Sequence, residues 1–389
     1  MTDFPPNRTA ALTRLSAFAP SAGRDYAAGR NYDNHAHVSV LSPYLRHRII
    51  TETEVLSEVL RHHTPAAADK FIAEVCWRIY WKGWLERHPE IWARYKADLA
   101  AAHNALQTQT GLRADWEAVC LGQTGIDCFD HWARELATIG YLHNHARMWF
   151  ASIWIHTLRL PWVLGADFFL RHLLDGDAAS NTMSWRWVAG IQTMGKTYLA
   201  RPDNIAKYTE GRFQPTGLAT TPLTIDTPPH PPLGPMPMSD RIDPDGRCVH
   251  LITDDDMTAQ HSAVTSATYA NPTGRSQWTV SPRVTAFTRN ALAPLGSPLA
   301  DVAEIADWAK SHDATQVVMN YTPQGPTNDG LHGLTEALHA QGITLRRHIR
   351  QIDQTGWPAA TAGFFKFKAI IPDLLRIVAD CRSPQFDLA

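Results

Sequence analysis

A chain of 389 residues is long enough for two domains and a sizeable core. Its formal net charge of -2 gives no global basic field, so a nucleic-acid partner would have to meet a local basic surface. No apolar run approaches the roughly 20 residues of a membrane span. The N-terminus lacks a signal-peptide profile, and the five cysteines (Cys76, Cys120, Cys128, Cys248, Cys381) are scattered without a Cys-x-x-Cys pair. The expectation is a cytoplasmic protein with no membrane contact, no metal and no disulfide framework.

Residues 1 to about 213 read as helical. Segments 52–63, 68–87, 89–102, 125–139, 144–157 and 164–174 carry apolar residues at three-to-four spacing, and Pro89, Gly140 and Pro161 punctuate them. A Pro-rich stretch, 221–238, follows; it should be a semi-extended linker. Beyond it the pattern turns α/β: strands at 248–253, 276–288, 314–321 and 343–349, helices at 299–312 and 327–341. Strands alternating with helices predict a parallel sheet. The expected fold class is therefore multidomain α and α/β. Its parts are an all-helical domain over 1–215, a linker over 216–247 and a smaller α/β parallel-sheet domain over 248–389.

The most informative stretch is Asp175–Trp187, which packs two aspartates, one asparagine and two tryptophans into a short span. A helix starting near Asp177 turns Asp177, Asn181 and Trp185 to one face. Acidic, amide and indole groups aimed at one point suit a planar, nitrogen-rich, redox-active ligand; the alternative is an N-capped helix with core tryptophans. On the helix around Phe71–Trp84, residues Glu74, Trp77, Arg78 and Trp81 share a face, and Glu74 and Arg78 stand at ion-pair spacing. Ser39 and Ser42 stand at a helix entry suited to a phosphate, or serve as a plain cap. Arg147, in Tyr141–Met148, is placed to pair with Asp175.

Tyr26, Arg30, Val38–Leu45, Glu74–Arg78, Gly122–Gly125, His143–Met148, Trp162 and Asp175–Trp187 occur in one order and spacing. In this, roughly residues 20 to 215 resemble the flavin-binding domain of the DNA photolyase/cryptochrome family. That resemblance implies bound FAD. Tyr26, Ser39, Leu41, Ser42 and Arg78 would contact its phosphates and ribityl chain. Asn144, Arg147, Asp175, Asp177 and Asn181 would surround the isoalloxazine, with Asn181 facing N5. Parts of 309–375, including Gly363–Leu375, resemble the later part of the family's α/β antenna domain, here after the flavin domain instead of before it. The resemblance leaves an antenna chromophore open.

By the same resemblance the protein would split cyclobutane pyrimidine dimers in damaged DNA by electron transfer from reduced FAD. Glu74 would exchange a proton with the dimer, Trp77 would stack on it, and Asn144 and Met148 would complete the pocket. Trp185 and then Trp162 would relay electrons, with Trp116, Trp132 and Trp154 as candidates for the outer member. Arg30 and Lys82 would meet DNA phosphates. Departures are Val38 for a threonine, Tyr141 for a tryptophan and His145 for an arginine. The other function open to such a chain is a cryptochrome-type blue-light photoreceptor acting through a protein signalling partner.

Overall fold

The computed structural model describes residues 3–258 and 263–380; Cys381 lies outside the described residues. The first half is helical: α1 (Arg8–Phe18), α2 (Arg24–Gly29), α3 (Ser42–Arg46), α4 (Glu52–His62), α5 (Asp69–Arg87), α6 (Pro89–Thr108), α7 (Thr110–Cys120), α8 (Asp127–Ile139), α9 (Asn144–Ser152), α10 (Trp162–His172), α11 (Ala178–Val188) and α12 (Pro202–Tyr208). Local chemistry sets the ends. Thr51 and Glu54 form a reciprocal capping box at the start of α4, and α8 stops at Gly140, whose φ of 77° suits a residue without Cβ. A π-helical turn, Ile153–Thr157, continues α9.

The Pro-rich stretch forms neither helix nor strand and lies along the helical half. Gly234 N donates to Arg87 O at 2.7 Å, Arg94 Nη1 to Pro229 O at 3.0 Å, and His230 packs edge-on to Trp84.

The second half holds β1 (Cys248–Thr253), β2 (Ser266–Tyr269), α13 (Pro282–Leu292), β3 (Ser297–Leu299), α14 (Val302–Ser311), β4 (Gln316–Asn320), α15 (Pro326–Gly330), α16 (Leu334–Ala340), β5 (Thr344–His348), α17 (Gln351–Gly356), α18 (Phe364–Phe367) and α19 (Ile371–Asp380). The sheet is wholly parallel in the order β3-β2-β1-β4-β5. The expected strand over 276–288 is a helix from Pro282 onward. Ser281 caps it and proline takes its first turn, a start signal that outweighs the short alternation read there. The second strand is instead Ser266–Tyr269. The expected helix over 327–341 is divided at Gly333, with φ of 83°.

Alternation along β1 builds two cores. Val249 and Leu251 face Ile305, Ala309, Val317 and Leu338 beneath α14 and α16. Ile252, on the other side, joins the large helical core, as do Phe287, Ile352, Trp357, Phe364, Phe367 and Leu374. The last quarter of the chain therefore wraps back onto the helices.

Candidate flavin site and lesion pocket

Two buried aspartates on either side of Gly176 anchor the site. Asp177 caps α11, its Oδ1 accepting from Ser180 N at 2.8 Å. Lys82 Nζ lies 3.5 Å from its other oxygen. Burial raises the Asp177 pKa, but Lys82, then Arg46 and Arg78, hold it well below the usual carboxylate range. Asp175 Oδ2 accepts from Arg147 Nη2 at 2.8 Å, the pair anticipated from the sequence. Here too burial raises the pKa, and Arg147, with Ser42 and Arg78, brings it below the usual carboxylate value. Arg147 is held in turn by Leu142 O at 2.8 Å and lies over the Tyr141 ring. Both α5 and α9 pack on α11, so the residues of three sequence motifs meet around these aspartates.

Asn181 is buried, and its Nδ2 donates to Ala166 O at 2.9 Å. Trp185, one turn on, lies against α10 where Gly165 leaves room. A Cβ on Gly165 would stand 2.3 Å from the indole, so only glycine permits the approach. The ring neighbours of Trp185 are Phe169 at 5.1 Å, Trp154 at 6.0 Å and Phe150 at 6.5 Å. Trp162 lies one turn before Gly165 and packs on Tyr95 at 5.9 Å, which stacks on Trp92 at 5.1 Å. Among the outer candidates, Trp154 therefore touches Trp185, whereas Trp132 stacks on Trp149 and Trp116 packs on Trp278.

Near the entry to α3, Ser39 Oγ accepts from Leu41 N at 3.4 Å; Leu41 is fully buried and Ser42 opens the helix. Tyr26 is buried, with its phenol pKa raised by burial and then by Glu74. Glu74 pairs with Arg30, not with Arg78 as the four-residue spacing suggested. Trp77 stacks face to face on Phe364 at 3.8 Å and 11°. Asn144 is exposed at the start of α9 and Met148 is half-buried. Lys82, expected at DNA phosphates, is 2 % exposed and turned inward to Asp177. His145 stacks on Trp149 and Tyr208, and burial, then Arg30, push its pKa down to about 4. It is therefore neutral near pH 7.

Four buried polar atoms here have no hydrogen-bond partner among the described residues: Arg78 Nη1, Asp175 Oδ1, Trp185 Nε1 and His143 Nε2. Buried polar groups are normally paired, so an open guanidinium nitrogen on Arg78 and an open carboxylate oxygen on Asp175, close enough to interact, offer a polar ligand two partners. A guanidinium suits a phosphate or ribityl oxygen, and a carboxylate oxygen suits a ring N–H or a hydroxyl. The residues present fit FAD.

A second charged cluster lies where the sheet meets the helices. The strand order reverses direction at β1 and β4, and ligands of such sheets usually enter there, beyond the carboxyl ends. Here the protein's own groups take that crevice. Arg46 Nη1 donates to Asp255 at 2.6 Å and His47 Nδ1 meets Asp254 O at 2.6 Å. Arg48 reaches Glu52 at 3.1 Å and Asp353 at 2.6 Å, and Arg350 holds Asp256 through both carboxylate oxygens. Glu86 accepts from Tyr321 Oη at 2.8 Å and Gln324 N at 2.6 Å, and burial pushes its pKa up to about 7. Arg275 lies between the two clusters, donating Nη1 to Leu173 O, with Nε and Nη2 buried and unpaired. Sequence reasoning missed this interface; its signal was the run Asp254–Asp256 at a strand end, opposite Arg46 and Arg48.

A helical domain with a cluster of unpaired buried donors and acceptors defines a cofactor-binding class, and comparison with known proteins says which. Residues 71–217 match the family model described as the FAD binding domain of DNA photolyase. The chain is similar to the deoxyribodipyrimidine photo-lyase of Agrobacterium fabrum (strain C58), 31% identical over 188 residues, or 48% of this chain and 38% of that protein. It is also similar to that of Streptomyces griseus, 31% identical over 170 residues, or 43% and 36%. Among solved structures, a bacterial class III photolyase from Agrobacterium tumefaciens is 27% identical, with a TM-score of 0.43, over 52% of this chain and 43% of that one. Within the helical half, residues 71–217 therefore carry an FAD-binding domain of the photolyase type. The chain spans less than half the length of the curated relatives it matches.

Proposed function

We propose that this protein is a light-dependent DNA-repair flavoprotein that splits cyclobutane pyrimidine dimers. Arg78, Arg147, Asp175, Asp177 and Asn181 hold FAD, with Tyr26, Ser39, Leu41 and Ser42 along its phosphate and ribityl portion. When bound and reduced, FAD supplies under blue light the electron that opens the cyclobutane ring and accepts it back afterwards. The dimer leaves the base stack to reach the site, at a reduced cost because damage has already weakened its stacking. Glu74, oriented by Arg30, accepts from a ring N–H of the dimer. Trp77 gives the extruded bases an apolar wall, and Asn144 and Met148 close the pocket. Trp185, Trp162 and Trp154 form the aromatic path that restores the reduced state.

The observation carrying this reading is the constellation around Gly176. Two aspartates are tied to α5 and α9 by Lys82 and Arg147, and unpaired Arg78 Nη1, Asp175 Oδ1 and Trp185 Nε1 lie about them. The test is illumination of reduced holoprotein with an oligothymidine containing one dimer. Recovery of absorbance near 260 nm in the light and none in the dark is expected; unchanged dimer with flavin bound and reduced would refute repair. A second reading, a blue-light photoreceptor with a protein partner, is favoured by Phe364 covering one face of Trp77 and by the uncharged His145. The same assay separates the two, since a photoreceptor changes its flavin spectrum in light and leaves the dimer intact.

A further inference from the structure

On α18 the side chains divide sharply. Phe364 is stacked on Trp77 and Phe367 is fully buried, but Phe365 between them is 91% exposed. No other large apolar side chain among those exposed in the described residues is turned out so far. An isolated exposed aromatic needs no explanation in general. This one differs in three respects. Its backbone is pinned from both sides by buried aromatics, so the ring is presented on an anchored turn. Lys368 Nζ lies 5.9 Å from the ring centre, and the Lys366 side chain is exposed beside it. And the turn abuts Trp77, the aromatic of the lesion pocket, through the Phe364 stack.

An outward aromatic face flanked by two ammonium groups matches the chemistry of an unpaired nucleotide: a base to stack and phosphates to neutralise. Resting on the repair reading for its location beside the lesion pocket, we propose that Phe365, Lys366 and Lys368 form a stacking platform for an unpaired DNA nucleotide next to the extruded dimer. Such a platform supplies local affinity to a chain whose net charge is close to zero. It also compensates for Lys82 and His145, which give the DNA side no exposed positive charge. A base lying on Phe365 would keep the opened strand from restacking behind the dimer.

The test is binding of the holoprotein to a lesion-free single-stranded oligonucleotide, followed by fluorescence anisotropy over a salt series. The chains compared are wild type, Phe365→Ala, Phe365→Trp and Lys366→Ala/Lys368→Ala. Because Phe365 makes no core contact, all should fold, and melting temperatures on the same samples check this. Phe365→Ala should weaken binding about tenfold, the loss of one base–aromatic stack, and Phe365→Trp should restore it. The double lysine variant should flatten the dependence of log affinity on log salt by about 1.4, two phosphates at about 0.7 each. Equal affinity of wild type and Phe365→Ala, or no binding by wild type, would overturn the platform. So would a loss of binding to vesicles of anionic phospholipid without a loss of DNA affinity, since that points to a lipid surface. Dimer repair measured in parallel keeps the two proposals separate: a wild type that repairs dimers while Phe365→Ala binds normally sinks the platform alone.

Discussion

The two buried charged clusters of this protein adjoin at Gly176, whose carbonyl accepts from Arg46 Nε at 2.8 Å, and they are finished to different degrees. At the sheet interface Arg46, Arg48 and Arg350 are matched by Asp255, Glu52, Asp353 and Asp256 at hydrogen-bond distance. In the helical half Arg147 and Lys82 hold one oxygen of each of two aspartates, and Arg78 Nη1, Asp175 Oδ1 and Trp185 Nε1 stay unpaired. Both clusters incur the desolvation cost of buried charge. The first recovers most of it within the chain, with Asp353 Oδ1 left over, and is therefore mainly structural. The second leaves a guanidinium nitrogen and a carboxylate oxygen open, which gives a polar ligand something to bind.

The largest expected effect comes from breaking the completed cluster. Arg48→Met removes the common partner of Glu52 and Asp353 and leaves both buried without it. A loss of about 3–5 kcal/mol in unfolding free energy is expected by urea titration. A loss below about 1 kcal/mol would show that the interface is not held by its ions.

Glu86 gives a pH test of the same interface. Burial raises its pKa from 4.5 to about 7. The folded state thus holds this proton more tightly than the unfolded chain, and the stability it contributes is complete below about pH 4.5 and lost as pH rises to about 7. Glu86→Gln keeps the neutral arrangement with Tyr321 and Gln324 at every pH. The stability of the variant relative to wild type should grow by up to about 3 kcal/mol between pH 4.5 and 8. A constant difference across that range would contradict the assignment.

In the incomplete cluster, Asp175→Asn weakens a charge-assisted bond to Arg147. Flavin affinity should fall at least about tenfold, while the unfolding free energy of the flavin-free protein drops by about 1–3 kcal/mol. Equilibrium dialysis against FAD and denaturation of the apoprotein read the two separately. The smallest effect is expected at His145: His145→Arg gives up the stacks on Trp149 and Tyr208 and puts a charge near Arg30, and should cost about 1 kcal/mol in unfolding free energy. It should also steepen the salt dependence of duplex binding by about 0.9.

The helices were legible because their apolar spacing and cap residues are local, and the Arg147–Asp175 pair was legible because collinear motifs bracket it. Strands β1, β4 and β5 were legible too, but β2 and β3 were not: β3 is three residues with a central proline, which carries no period. The pairing of Glu74 with Arg30 and the inward turn of Lys82 were also hidden. Each depends on a partner 44 or more positions away, where spacing along one helix says nothing. Phe364 on Trp77 joins residues 287 positions apart. The Gly363–Leu375 stretch was read by resemblance as part of an antenna-like domain, and only the fold brings it against Trp77.

The measurement that bears most directly on this account is the flavin-to-protein ratio of wild type, Arg78→Met and Asp175→Asn after reconstitution with FAD, with melting temperature taken on the same samples. The account predicts close to one flavin per chain in wild type and a marked loss in both variants while they remain folded. Stoichiometric flavin in both variants, or a folded wild type that takes up none, would contradict it.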